Sequence, residues 1–183
     1  MSDPFHALDS TLSQVWLRLA RGVRDRHSAA RTPTLATTSA TGPQARTVIL
    51  REVDPHSKLL EINADRRSGK VAELETEPRA TLHIWDAKAH LQIRLRCAAK
   101  LIHGDPEKWA AIPETAQRVY GGTPAPGAAI PAPDAHDATA DQGDFTAVIF
   151  TVHEIETLYL GQDHHRRARF SAQTDWAGQW LAP

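Results

Sequence analysis

Across residues 90–103 the chain alternates with a period of two: Leu91, Ile93, Leu95 and Cys97 fall on one side, Gln92, Arg94 and Arg96 on the other. A helix cannot use that pattern, because its faces recur every 3.6 residues. The segment must be a long strand with one face on a core and the other on something polar. Residues 79–85 read as a further strand. Residues 34–39 and 46–53 read as a hairpin about the Thr41-Gly42-Pro43 turn, and residues 58–63 as a strand behind Asp54-Pro55-His56-Ser57. Residues 145–152, 154–160 and 166–173 read as three closing strands. Six or more strands at short spacing with few helices predict a mostly β chain, closed or nearly closed as an antiparallel barrel.

Helices are few and peripheral. After Asp3, the residues Phe5, Leu8, Leu12, Val15, Trp16 and Leu19 recur at threes and fours, which predicts an amphipathic helix over 4–21. Ser68 is placed as the N-cap of a short helix that Pro78 stops. Asp105-Pro106-Glu107 opens a helix carrying Trp109, Ile112, Val119 and Tyr120, which Pro113 can interrupt. Residues 121–143 hold four Pro, four Gly and no Lys or Arg, with no apolar period. They read as a long loop or a disordered insertion. At 183 residues the chain is expected to be a single domain over 1–183.

Charge narrows the function classes. Twenty-one Lys and Arg against 22 Asp and Glu leave a formal charge of -1, so no global field draws the chain to nucleic acid or an anionic membrane. An anion site has to be local. Cys97 is the only cysteine, which excludes an intramolecular disulfide and a cysteine-based zinc site within one chain. His164 and His165 are adjacent on an expected strand and point to opposite faces, so no metal site is expected from them. With neither a basic start followed by an apolar stretch nor a long apolar run, the chain is expected to be cytoplasmic.

The chemistry concentrates in two runs. In Arg46-Thr47-Val48-Ile49-Leu50-Arg51 a strand puts Arg46, Val48 and Leu50 on one side and Thr47, Ile49 and Arg51 on the other. In Arg66-Arg67-Ser68-Gly69-Lys70, backbone N–H groups at a helix start combine with a hydroxyl and several cations, which is what a phosphomonoester needs. On spacing alone, Ser68 as a simple cap among solvated cations is the favoured reading, since caps are common.

The order of the pieces carries more. Asp3-Pro4-Phe5, Thr34-Leu35-Ala36-Thr37, the Arg46–Arg51 run, Ile62-Asn63-Ala64-Asp65-Arg66-Arg67-Ser68-Gly69-Lys70, Glu77-Pro78-Arg79, Leu91-Gln92-Ile93-Arg94, His164-His165-Arg166-Arg167-Ala168-Arg169-Phe170 and the terminal Trp180-Leu181-Ala182-Pro183 together resemble the pyridoxamine 5'-phosphate oxidase family. That resemblance implies an antiparallel split β-barrel that binds FMN, and a homodimer with the flavin at the interface. It puts Arg46, Ser68 and Lys70, with Arg67, around the FMN phosphate. Thr47, Val48 and Ile49 would lie along the flavin, and Asn63 and Ala64 would line the same pocket. Gln92, Tyr159 and Arg169 would reach the cofactor. Arg51, His165 and Arg167 fall at substrate positions, but Arg51 stands where a lysine is expected, His165 where an arginine is, and Arg167 where a histidine is.

These departures predict a poor pyridoxine 5'-phosphate oxidase that acts on another small molecule. A non-catalytic FMN-binding or sensing module is the alternative, and a barrel that has lost its flavin is a third.

Overall fold

The computed structural model describes residues 3–183; residues 1 and 2 of the expected domain lie outside the described residues. The first helix, α1, runs Leu8–Arg24, one turn later than the spacing predicts. Asp3 does not cap it: its carboxylate accepts from the Phe5 N–H at 2.9 Å and so closes a turn ahead of the helix. Val15, Trp16 and Leu19 are buried along one face of α1. Gly22 lets this helix meet the following turn, since a Cβ there would lie 2.7 Å from the Ala30 carbonyl carbon.

The strands are β1 (Thr34–Ser39), β2 (Gly42–Thr47), β3 (Leu50–Asp54) and β4 (Leu59–Asp65); then, beyond α2 (Gly69–Thr76), β5 (Arg79–Asp86) and β6 (Leu91–His103). After the short helices α3 (Pro106–Ala110) and α4 (Glu114–Gln117) come β7 (Phe145–Leu160), β8 (His165–Ser171) and β9 (Gly178–Leu181). Asp105 caps α3 by accepting from the Lys108 N–H, and Pro113 does interrupt the expected single helix.

All pairings are antiparallel, in the order β2-β1-β5-β6-β7-β4-β3, with β8 beside β7 and β9 beside β8. The two ends of that order, β2 and β3, are consecutive in the chain and separated only by Val48 and Ile49. The sheet therefore closes on itself through a slot at these two residues, which makes it a split barrel. Within it, Leu35, Leu82, Leu95, Ile62 and Phe150 are wholly buried. Residues 91–97 alternate buried and half-exposed as their pattern predicts.

Three expectations are corrected. The strand expected over 46–53 is two, β2 and β3, because the chain leaves the hairpin with β1 at Val48 and Ile49 and pairs onward with β4. Residues 145–160 form one strand, not two, because His153 is an extra residue: Arg96 pairs with Glu154 while Cys97 pairs with Val152. That bulge shifts the burial phase from Phe150 and Val152 to Ile155 and Thr157, so one bent strand looks like two in a period-two reading. The last strand, β9, was not expected. It is four residues long and only half-buried, too short to carry a pattern.

The 121–143 stretch is loop apart from a single bridge between Thr123 and Asp137 and the start of a 3-10 turn at Gln142–Asp144. No helix among the described residues is long and apolar enough to cross a membrane.

Candidate functional site

The β1–β2 hairpin and α2 bring the first cluster together. Arg46, on β2, donates to Glu73 of α2 at 2.7 Å and to the Thr37 hydroxyl, and that hydroxyl donates in turn to Glu73. Lys70, in the first turn of α2, donates to the Ser68 hydroxyl at 3.2 Å. Burial, and then the nearby Arg46 guanidinium, hold the Lys70 pKa below its ordinary value; Asp65 and Glu73 only partly offset them. Ser68 stands at the N-cap position but does not cap with its side chain. Its hydroxyl donates to the Asp65 carbonyl at 2.7 Å, and the sequence expectation is corrected on that point. The hydroxyl is thus fixed between Asp65 and Lys70 rather than spent on the helix N–H groups.

Beside this cluster lies the slot. Val48 is buried and donates its N–H to the Pro33 carbonyl at 3.0 Å, whereas Ile49 is 42% exposed and Thr47 is exposed. Ala64 is buried on β4. Asn63 has a buried Oδ1 with no hydrogen-bond partner among the described residues. An exposed isoleucine between β2 and β3 and an orphaned amide oxygen on β4 are what a ligand, rather than a core, leaves to be covered.

Arg67 is committed elsewhere. It grips Asp65 with two bonds, at 3.0 and 2.7 Å, and also reaches Asp144 at 3.2 Å and the Gly122 carbonyl at 3.0 Å. Asp65 also accepts from the Gly121 N–H. Burial raises the Asp65 pKa, but these bonds outweigh it and hold the carboxyl below its ordinary value. The pair ties β4 to both ends of the 121–143 loop.

A second group occupies the outer face of the sheet. Paired residues share a face, so Gln92 lies in a row with Trp85, Leu158, Arg167 and Leu181. His165 and Arg169 alternate with Arg167 along β8 and point the same way. Arg167 donates to Glu156 at 2.9 Å and Arg94 to the same carboxylate oxygen at 3.0 Å. The guanidinium of Arg169 donates to the side-chain carbonyl of Gln179 across the β8–β9 pair. Trp85 is 43% exposed. The structure does not bring Tyr159 into this group. It pairs with Leu91 on the opposite face and stacks on Phe5 at 4.6 Å.

Sequence reasoning missed Thr37, Glu73 and Glu156, the partners that hold Arg46, Arg94 and Arg167. The Arg46–Glu73 and Arg94–Glu156 contacts join elements far apart in the chain, Arg46–Thr37 and Arg167–Glu156 cross consecutive strands, and no local pattern marks any of them. Cys97, by contrast, is the packed thiol its place in the alternation predicts, with burial pushing its pKa up to about 12.

The comparisons with known proteins agree with this geometry. The fold matches a pyridoxamine 5'-phosphate oxidase-related, FMN-binding protein of Nostoc punctiforme at 22% identity, over 93% of this chain and 96% of that one, with a TM-score of 0.76. It also matches PhzG of Burkholderia lata, solved in complex with tetrahydrophenazine-1-carboxylic acid, at 20% identity over 94% and 91% of the two chains and a TM-score of 0.65. A protein of Clostridium acetobutylicum related to general stress protein 26 matches at 13% identity over 88% and 96%, with a TM-score of 0.58. No curated protein matches the sequence. Residues 13–103 match the family described as pyridoxamine 5'-phosphate oxidase, FMN-binding domain. These residues run from α1 to the end of β6 and include the slot, the Arg46–Ser68–Lys70 cluster and Gln92, and through them the chain belongs to that FMN-binding family.

Proposed function

We propose that the protein is an FMN-dependent oxidoreductase acting on a small molecule, working as a cytoplasmic homodimer of single-domain subunits. The observation that carries this reading is the frustrated cation at Lys70. A half-buried ammonium beside a guanidinium calls for an anion, and Glu73, already bonded to Arg46, offsets the two charges only in part. Arg46, Lys70 and the Ser68 hydroxyl supply two charges and a fixed polar group, which suit the terminal phosphate of FMN. Val48, Ile49, Asn63 and Ala64 would flank the ring system. When bound, the flavin supplies the two-electron chemistry, and the chain's residues position it and shield it from water.

Where the two groups stand supports the dimer. Asp65, next to the phosphate cluster, pairs with Phe145 at one end of β7, whereas Gln92 pairs with Leu158 near the other. The strand path between Phe145 and Leu158 is on the order of 40 Å. In this reading Gln92 and Arg169 serve the partner's flavin, and the half-exposed face bearing Trp85 is covered by the partner subunit.

The test is uptake of FMN by purified protein, seen as flavin absorbance, followed by anaerobic mixing with reduced nicotinamide. Bleaching of the flavin supports an oxidoreductase. Uptake without reduction by any nicotinamide or dithiol donor favours the non-catalytic module, and no uptake refutes the reading.

A further inference from the structure

An anion site has no evident need of a carboxylate, yet the cluster around Arg46 and Lys70 contains one. Glu73 lies one turn after Lys70 on α2, and its side chain is only 14% exposed. Residues three apart share a helix face, so the carboxylate stands on the same side as the ammonium. Its Oε2 accepts from the Arg46 guanidinium at 2.7 Å and from the Thr37 hydroxyl, which itself accepts from Arg46. Its Oε1 turns back over the start of the helix, where a Cβ added to Gly69 would stand 3.7 Å away. Thr37 is buried on β1, so Glu73 is fixed against the barrel and not laid on its surface.

The charges indicate what this carboxylate does. Of the two acids that act on Lys70, Asp65 is gripped by Arg67, and Glu73 is bonded to Arg46. Glu73 is therefore the counter-charge that Arg46 and Lys70 share. Without it, the empty subunit would hold two like charges side by side in a half-buried place, which disfavours both. With it, an incoming phosphate meets a carboxylate already bonded to the guanidinium it needs. The two anions draw on the N–H groups of one arginine, and they repel each other at short range. One residue thus helps the empty protein and hinders the loaded one.

We propose that Glu73 is a resident counter-anion of the phosphate site, which stabilises the subunit before a cofactor arrives and limits how tightly the phosphate is then held. The proposal deepens the flavoprotein reading and rests on it for the phosphate, whereas the bonds of Glu73 to Arg46 and Thr37 are this chain's own. Glu73→Gln separates charge from position, because it keeps an acceptor for both neighbours and removes only the negative charge. Thr37→Val does the reverse: it removes the bridging hydroxyl and leaves the carboxylate in place.

The experiment titrates wild type, Glu73→Gln and Thr37→Val with FMN and with riboflavin at pH 7, read by flavin fluorescence quenching, and melts each apoprotein. Glu73→Gln should bind FMN at least about fivefold more tightly than wild type, bind riboflavin alike to within about twofold, and melt lower as apoprotein. In a Lys70→Met background the same substitution should cost less stability, since one of the two charges that Glu73 offsets is gone. Thr37→Val should not tighten FMN binding. Unchanged or weaker FMN binding by Glu73→Gln, a gain shared by riboflavin, an equal gain in Thr37→Val, or an undiminished stability loss beside Lys70→Met would each overturn the proposal. A Glu73→Gln protein that folds only when FMN is supplied, with riboflavin no substitute, is the extreme form of the expected result; one that does not fold even with FMN overturns it. Wild type that binds FMN no more tightly than riboflavin refutes the phosphate reading itself. Wild type that prefers FMN while Glu73→Gln shows no gain fails this proposal alone.

Discussion

Replacing Lys70 by Met should move two measurements in opposite directions. The substitution keeps the length of the side chain and removes its charge. In the free protein Lys70 is held below its ordinary pKa of 10.5 by burial and by Arg46, so the folded state disfavours its protonated form. That penalty is fully present below the depressed folded value and is relieved as pH rises from there toward 10.5. Lys70→Met apoprotein should therefore melt higher than wild type at pH 7, and the gap should narrow as the solution is taken toward pH 10.

Binding changes the other way. One charge-assisted hydrogen bond to the phosphate is worth about 1.5–3 kcal/mol, so the FMN Kd should rise roughly 10- to 150-fold. Riboflavin, with no phosphate, should bind both proteins alike to within about twofold. Flavin fluorescence quenching gives both affinities, and thermal denaturation of apoprotein at pH 7 and pH 10 gives the stabilities. Equal losses for riboflavin and FMN would refute the phosphate assignment. A lower melting temperature in the variant would refute the claim that Lys70 is a cation waiting for an anion.

Three further outcomes are expected. Sedimentation of FMN-loaded protein should give about twice the 20.1 kDa chain mass; a monomer that binds FMN tightly would contradict the division of the site between subunits. Aerobic turnover of pyridoxine and pyridoxamine 5'-phosphates should be poor, because Arg51 stands where a lysine is expected and His165, exposed on β8, where an arginine is. Turnover near the enzyme median of about 10 per second with a micromolar KM would show that other groups anchor the substrate phosphate. Arg67→Ala should free the 121–143 loop, raising its cleavage by protease and costing about 1 kcal/mol of stability, discounted because Arg67 is 30% exposed. Since Asp65 titrates below its ordinary 3.8 when paired, the clamp's contribution should be present at neutral pH and fade as pH falls below that value. Unchanged protease sensitivity would show that the loop is held elsewhere.

Much of this protein is legible in its residues because the information is local. Alternation from Leu91 to Cys97 dictates a half-buried strand wherever that strand lies, and Gly-Pro and Asp-Pro pairs mark turns through their own backbone limits. The ordered runs around Arg46, Ser68, Lys70 and Gln92 carry the family. What the residues alone could not state depends on pairing across long stretches of chain. The bulges at Arg51 and His153 exist only relative to the partner strands β4 and β6, and a one-residue insertion has no signature of its own.

Likewise Arg46 and Arg67 look equivalent as cations in the sequence. Tertiary packing sets Arg67 between Asp65 and Asp144, while it sets Arg46 against Glu73 and beside Lys70, so one arginine clamps a loop and the other stands at the proposed phosphate site. What each cation is paired with is a property of its neighbours, and folding alone chooses the neighbours.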